Sequence, residues 1–172
     1  LVIDVSGSMT PDKLEAARSA ARMFAGMLAF PLDRAAVVAF SETASVTVPM
    51  TADRGELLRG IDALATGSGT RIDRALWAAL GELRRAAGPP GNRPVLVLLS
   101  DGGHSGSHAD VLDLADEARS LGTVIYAIGL GSDADLALLQ EIAGSAARTY
   151  FAPSAADLAE IYRQVAVVIA CR

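Results

Sequence analysis

The residues of this chain best placed to do chemistry are oxygen donors. Asp4-Val5-Ser6-Gly7-Ser8 sets one carboxylate and two hydroxyls on alternate positions. In a tight turn alternate side chains can converge on one point, and Gly7 lets the backbone fold closely. A third hydroxyl, Thr70, ends the loop Gly67-Ser68-Gly69-Thr70, and a second carboxylate, Asp101, opens Asp101-Gly102-Gly103. Asp4, Ser6, Ser8, Thr70 and Asp101 are five hard donors without an imidazole or thiolate among them. Such a set selects Mg²⁺, Mn²⁺ or Ca²⁺ over zinc or copper. Two carboxylates neutralise a divalent ion and hydroxyls add no charge. Mg²⁺ wants about six ligands, so five protein oxygens, some acting through water, leave a position for a carboxylate from a partner protein.

Catalytic patterns are missing. A phosphohydrolase of the haloacid dehalogenase type needs a second Asp two residues after its nucleophile, where this chain has Ser6, and a Lys near the phosphate, where the one lysine is Lys13. Gly103-His104-Ser105-Gly106-Ser107 lacks the closing glycine of a nucleophile elbow, and there is no Walker loop. The expectation is a binding module and not an enzyme.

Charge and composition narrow the partners. Twenty acids against 15 bases give a net charge of −5, and a nucleic-acid surface would need a clustered basic patch. Arg84–Arg85 is the one adjacent basic pair and reads as a solvated helix end. Cys171 is the only cysteine, which rules out an internal disulfide and a cysteine-held metal. No apolar run reaches the ~18–20 residues of a membrane span, so no membrane insertion of this domain is expected. Arginine outnumbers lysine fourteen to one and alanine is abundant, a bias typical of GC-rich bacterial genomes.

The elements that must position the donors follow from periodicity. At 172 residues, 51% hydrophobic and 5% aromatic, the chain suits one domain over 1–172, with a core of Ala, Val, Leu and Ile between helices. It opens inside an apolar strand, Leu1–Asp4, and reads as a domain taken from a longer protein. Thr10 and Pro11 start a helix whose stripe Leu14, Ala17, Ala21, Phe24 and Leu28 runs to Phe30, where Pro31 stops it. Further strands are expected at Ala35–Phe40, Ser45–Met50 (an antiparallel edge), Val95–Leu99, Thr123–Ile128 and Arg148–Phe151. Further helices are expected at Arg54–Leu64, Ile72–Ala87, Ala109–Leu121, Leu136–Ala143 and Ala155–Ala170, the last capped by Ser154 and Asp157. Gly88-Pro89-Pro90-Gly91 marks a break. This is a doubly wound α/β fold with a mostly parallel six-stranded sheet and helices on both faces. In such folds ligands sit beyond the carboxyl ends of strands where strand order reverses. Asp4 and Asp101 both follow strands, and face each other if those strands are neighbours.

The remaining polar and aromatic residues have ordinary readings. His104 and His108 read as surface loop histidines or as neighbours of a helix cap, the alternative being that His104, or Ser105 beside it, lines the partner surface next to the metal. Asp73 suits the first turn of its helix, Met9 packs, and Trp77 is expected in or near the core.

Asp-x-Ser-x-Ser, a later Thr and a later Asp-Gly resemble the metal-ion-dependent adhesion site of von Willebrand factor A domains, including integrin I domains. The resemblance extends to Val37-Val38-Ala39-Phe40-Ser41, to Gly69-Thr70 with Ala75-Leu76, to Leu98-Leu99-Ser100-Asp101-Gly102 and to Ile128-Gly129-Leu130-Gly131. It departs at Gly67-Ser68-Gly69, where a run of glycines is commoner. It implies a Rossmann-like fold, a Mg²⁺ (or Mn²⁺ or Ca²⁺) site at Asp4, Ser6, Ser8, Thr70 and Asp101, and capture of an acidic side chain of a protein partner in adhesion or assembly. It also implies a possible shift of the C-terminal helix. A related reading is a subunit that docks on a MoxR- or chelatase-type ATPase. An extracytoplasmic or membrane-anchored parent protein is slightly favoured over a cytoplasmic one.

Overall fold

The computed structural model describes residues 1–86 and 92–170. The proline–glycine break and Cys171 lie outside the described residues. Six strands form one sheet in the order β3-β2-β1-β4-β5-β6. They are β1 (Val2–Asp4), β2 (Ala35–Phe40), β3 (Ala44–Thr51), β4 (Val95–Ser100), β5 (Val124–Leu130) and β6 (Thr149–Ala152). All neighbours pair in parallel except β2 and β3. The edge hairpin carries register shifts at Val37, which bend a strand that is solvated on one side.

Alternation along the strands sorts the core into two layers. Ile3, Val37, Ala39, Val97, Leu99, Tyr126 and Ile128 face one side. There they meet α1 (Pro11–Met27), α2 (Arg54–Asp62) and α6 (Ala155–Ala170). Val2, Val38, Phe40, Leu96, Leu98, Ile125 and Ala127 face the other. There they meet α3 (Ile72–Arg85), α4 (His108–Ser120) and α5 (Leu136–Ala143). Both faces are covered, as the near-continuous aliphatic runs of β4 and β5 require.

Local chemistry sets the helix ends. Thr10 accepts from the Lys13 N–H, Asp53 from Gly55 and Glu56, Ser107 from Asp110 and Asp135 from Leu138. Ser154 accepts from the Asp157 N–H and donates to Asp157 Oδ2. α1 ends at Met27, three residues before Phe30. Its C-terminal turn is instead built by Asp33, whose carboxylate accepts from Ala29 N–H at 2.6 Å. Trp77 is 71% exposed, contrary to the core expectation. Ile72, Ala75, Leu76, Ala79 and Leu80 already fill the inward stripe of α3, and position 77 falls on the far side of it. Met9 packs as expected and is fully buried.

The order of strands reverses between β1 and β4. The chain runs from β1 outward to β2 and β3, then returns to β4 on the other side of β1. Ile3 pairs with Leu99 across this junction. Asp4 ends β1 and Asp101 follows β4 by one residue, so both carboxylates stand at the open crevice of the switch point.

Candidate metal centre

The first donors are set by the turn between β1 and α1. Asp4 Oδ1 accepts from the Ser6 N–H at 2.8 Å, an Asx turn that reverses the chain after the strand. Met9 N–H and Thr10 N–H then bond to the Ser6 and Ser8 carbonyls. This closes the turn just before Pro11 opens the helix. The two hydroxyls come together, with Ser6 Oγ and Ser8 Oγ 3.0 Å apart. Ser8 Oγ donates to Asp101 Oδ1 at 2.7 Å. Four of the five expected donors, Asp4, Ser6, Ser8 and Asp101, therefore join in one hydrogen-bonded chain across the β1–β4 crevice.

Thr70 sits on a separate loop tied down on three sides. Gly67 N–H donates to Val5 O at 2.5 Å, Arg71 N–H to Ser41 O at 2.8 Å, and Ser105 N–H to Thr70 O at 2.9 Å. Glu42 N–H reaches in from the β2–β3 turn to Ser68 O at 2.6 Å. Gly69 turns with φ +73°, a left-handed conformation that glycine adopts at least cost. Thr70 is buried. Its backbone carbonyl, and not its hydroxyl, links it to the β4–α4 loop.

Two residues at the site escape a reading of the sequence. Ser100, the last residue of β4, donates from Oγ to Asp4 Oδ2 at 2.6 Å and is fully buried. Lys13 Nζ lies 2.5 Å from Asp101 Oδ2. Ser100 stands immediately before Asp101 in the sequence, and a strand-end hydroxyl is its only signal. Lys13 lies 88 residues from its partner.

The electrostatics favour a cation. Burial pushes the Asp4 carboxyl above the usual carboxylate range, and the negative charge of Asp101 adds to this. Hydrogen bonds from Ser100 and Ser6 oppose the shift. Asp4 and Asp101 are both fully buried, and like charges taken out of water need a positive partner. Lys13 is one such partner, an ammonium standing where a cation is attracted. Among the described residues no group of three or more His, Cys, Asp and Glu side chains could hold a metal. The available donors are therefore the two carboxylates with hydroxyls, a hard-oxygen set that fits a divalent cation. A cavity of about 570 Å³, lined by Leu1, Phe24, Leu28, Val95 and Tyr126 among others, includes none of these residues.

His104 and Asp73 support the site from outside it. The His104 side chain is buried, unlike the surface position expected for it. Its Nδ1 accepts from Ile72 N–H at 3.2 Å, tying the β4–α4 loop to the start of α3 beside Thr70. Burial lowers its pKa, with Asp73 acting in the opposite direction. Asp73 accepts both arms of Arg71, at 2.9 and 2.6 Å, so its carboxylate is engaged away from the four linked donors.

Comparison with known proteins places this geometry in a wider group. A family model described as the von Willebrand factor type A domain matches residues 1–164. A UPF0353 protein of Mycolicibacterium paratuberculosis is 38% identical over 114 residues, 59% of this chain and 33% of its own length. The chain spans about a third of the curated relatives it first matches. Proximal thread matrix protein 1 from the mussel byssus, solved with a zinc-occupied metal-ion-dependent adhesion site, superposes with a TM-score of 0.82. It is 23% identical, over 96% of this chain and 43% of that one. The pilus adhesin SpaC of Lactobacillus rhamnosus GG superposes with a TM-score of 0.85 at 17% identity, over 98% of this chain and 30% of that one.

Proposed function

The chain belongs to the von Willebrand factor type A family, and on that premise we propose that it is a divalent-cation-dependent protein-binding module, not an enzyme. It captures an Asp or Glu side chain of a partner protein, in adhesion or assembly. The observation that carries this reading is the hydrogen-bonded chain from Asp4 through Ser6 and Ser8 to Asp101 at the switch-point crevice. The mussel matrix protein holds zinc at the corresponding motif, and SpaC is a pilus adhesin. The first supports a metal at the motif, and the two together support contact with other proteins in an extracytoplasmic setting. Among the described residues no helix is long and apolar enough to cross a membrane.

Asp4 and Asp101 supply the negative charge, and Ser6, Ser8 and Thr70 supply neutral donors that leave a bound cation electrophilic. Mg²⁺, Mn²⁺ or Ca²⁺ suits such oxygens. When bound, the cation offers a coordination position to an incoming carboxylate. Ser100 keeps Asp4 oriented, and the three-sided anchoring of loop 65–70 presents Thr70.

The test is a pull-down from native lysate and membranes in Mg²⁺, eluted with EDTA, followed by substitution of each Asp and Glu of the recovered partner. One acid whose loss abolishes binding is the expected result. Binding that persists in EDTA, or tolerates loss of every single acid, overturns the proposal. So does phosphate-ester turnover that disappears in Asp4→Asn.

A further inference from the structure

The chain contains fourteen arginines and one lysine, and that lysine touches a candidate metal ligand. The two oxygens of Asp101 are held from different sides, Oδ1 by the Ser8 hydroxyl and Oδ2 by the Lys13 ammonium. Asp101 is fully buried, while the Lys13 side chain is 27% exposed. Lys13 lies under the turn that follows β5. A Cβ on Gly131 would sit 3.5 Å from Lys13 Cε and 3.7 Å from Nζ, and Gly131 has φ +79°.

We propose that Lys13 sets the charge of the metal centre, so that the site holds its cation less tightly and a partner's carboxylate more tightly. This rests on the reading of the site as a divalent-cation centre. Asp4 and Asp101 alone bring a bound divalent cation to zero net charge, and a further anion gains less from such a centre than from one with a residual positive charge. With Lys13 sharing Asp101, the protein charge is −1 and the loaded centre carries +1. One monoanionic side chain then neutralises it. Lys13 is thus a positioning and specificity residue. It keeps Asp101 Oδ2 turned to the α1 side and reserves one unit of charge for the ligand.

The inference predicts opposite signs for two affinities, which a merely structural role does not produce. Mn²⁺ binding is measured by calorimetry on the wild-type chain, Lys13→Met and Lys13→Arg. Acetate is then titrated into each Mn²⁺-saturated protein, with loss of metal-bound water followed by proton relaxation. Lys13→Met is expected to bind Mn²⁺ at least about tenfold more tightly, because a like charge sharing the ligand has gone. It is expected to bind acetate about threefold or more weakly. Lys13→Arg keeps the charge and stays within about threefold of wild type for Mn²⁺. Melting by circular dichroism establishes that each variant is folded. A folded Lys13→Met with unchanged or weaker Mn²⁺ binding, or with unchanged or tighter acetate binding, overturns the inference alone. No Mn²⁺ binding by any of the three proteins overturns the metal reading, and this inference with it.

Discussion

Ser100→Ala tests how the crevice holds its buried charge. Ser100 Oγ donates to Asp4 Oδ2 at 2.6 Å, and both residues are fully buried. Removing the hydroxyl leaves that carboxylate oxygen without its side-chain donor. A hydrogen bond to a charged group contributes about 1.5–3 kcal/mol, and leaving its buried acceptor unmatched costs a similar amount. For a domain of this size about 1 kcal/mol corresponds to about 2–4 °C in melting temperature. A cost of about 2 kcal/mol thus lowers the transition by about 4–8 °C. The effect depends on pH. The Ser100 bond lowers the Asp4 pKa against the raising effect of burial, so the variant's Asp4 takes up a proton more readily. A protonated Asp4 needs the donor less, so the penalty is largest where Asp4 is ionised and shrinks as pH falls through its titration. The assay is calorimetric melting in EDTA over a descending pH series. A variant that melts with wild type throughout, or a loss that does not shrink toward acid pH, refutes this account of Asp4.

Three further expectations concern the same crevice. Asp4 has a folded-state pKa raised by burial. In EDTA its contribution to stability is therefore present at low pH and lost as pH rises through that pKa. Mg²⁺ requires the ionised form, so the increment in melting temperature from Mg²⁺ grows over the same interval, and a flat increment contradicts this. Thr70→Ala weakens partner binding more than Mg²⁺ binding, because Thr70 sits on a loop apart from the four linked donors; equal losses in the two titrations argue against it. His104→Phe removes the acceptor of the Ile72 N–H, costs about 1–3 kcal/mol, and speeds amide hydrogen exchange in residues 65–72; unchanged exchange there shows that His104 does not hold the loop.

The two carboxylates are legible because Asp4 and Asp101 stand at the ends of aliphatic runs that read as buried strands, while the pairing of those strands comes from the structure. Ser6 and Ser8 are legible as turn residues beside Asp4, whereas Thr70 lies on the loop between α2 and α3, away from any strand end. Lys13 and Ser100 are less legible, since their roles depend on contacts across 88 and 96 residues that no local pattern encodes. His104 misleads because a glycine-rich loop suggests exposure, whereas the ring is drawn inward by an unpaired N–H at the start of α3. Trp77 misleads for a different reason. Size and hydrophobicity favour the core, but the inward stripe of α3 is complete without it. The end of α1 falls three residues short of the expected Phe30 because Asp33, and not Pro31 alone, shapes the turn that follows it.

The central claim is that Asp4 and Asp101 together hold a divalent cation. Melting of wild type, Asp4→Ala and Asp101→Ala with and without Mg²⁺ tests it most directly. An ion at about a hundredfold excess over its Kd stabilises the native state by about 2.7 kcal/mol, or about 5–11 °C here. The account predicts that increment in wild type and its loss in both variants. Equal responses to Mg²⁺ in all three proteins, or none in wild type, would contradict it.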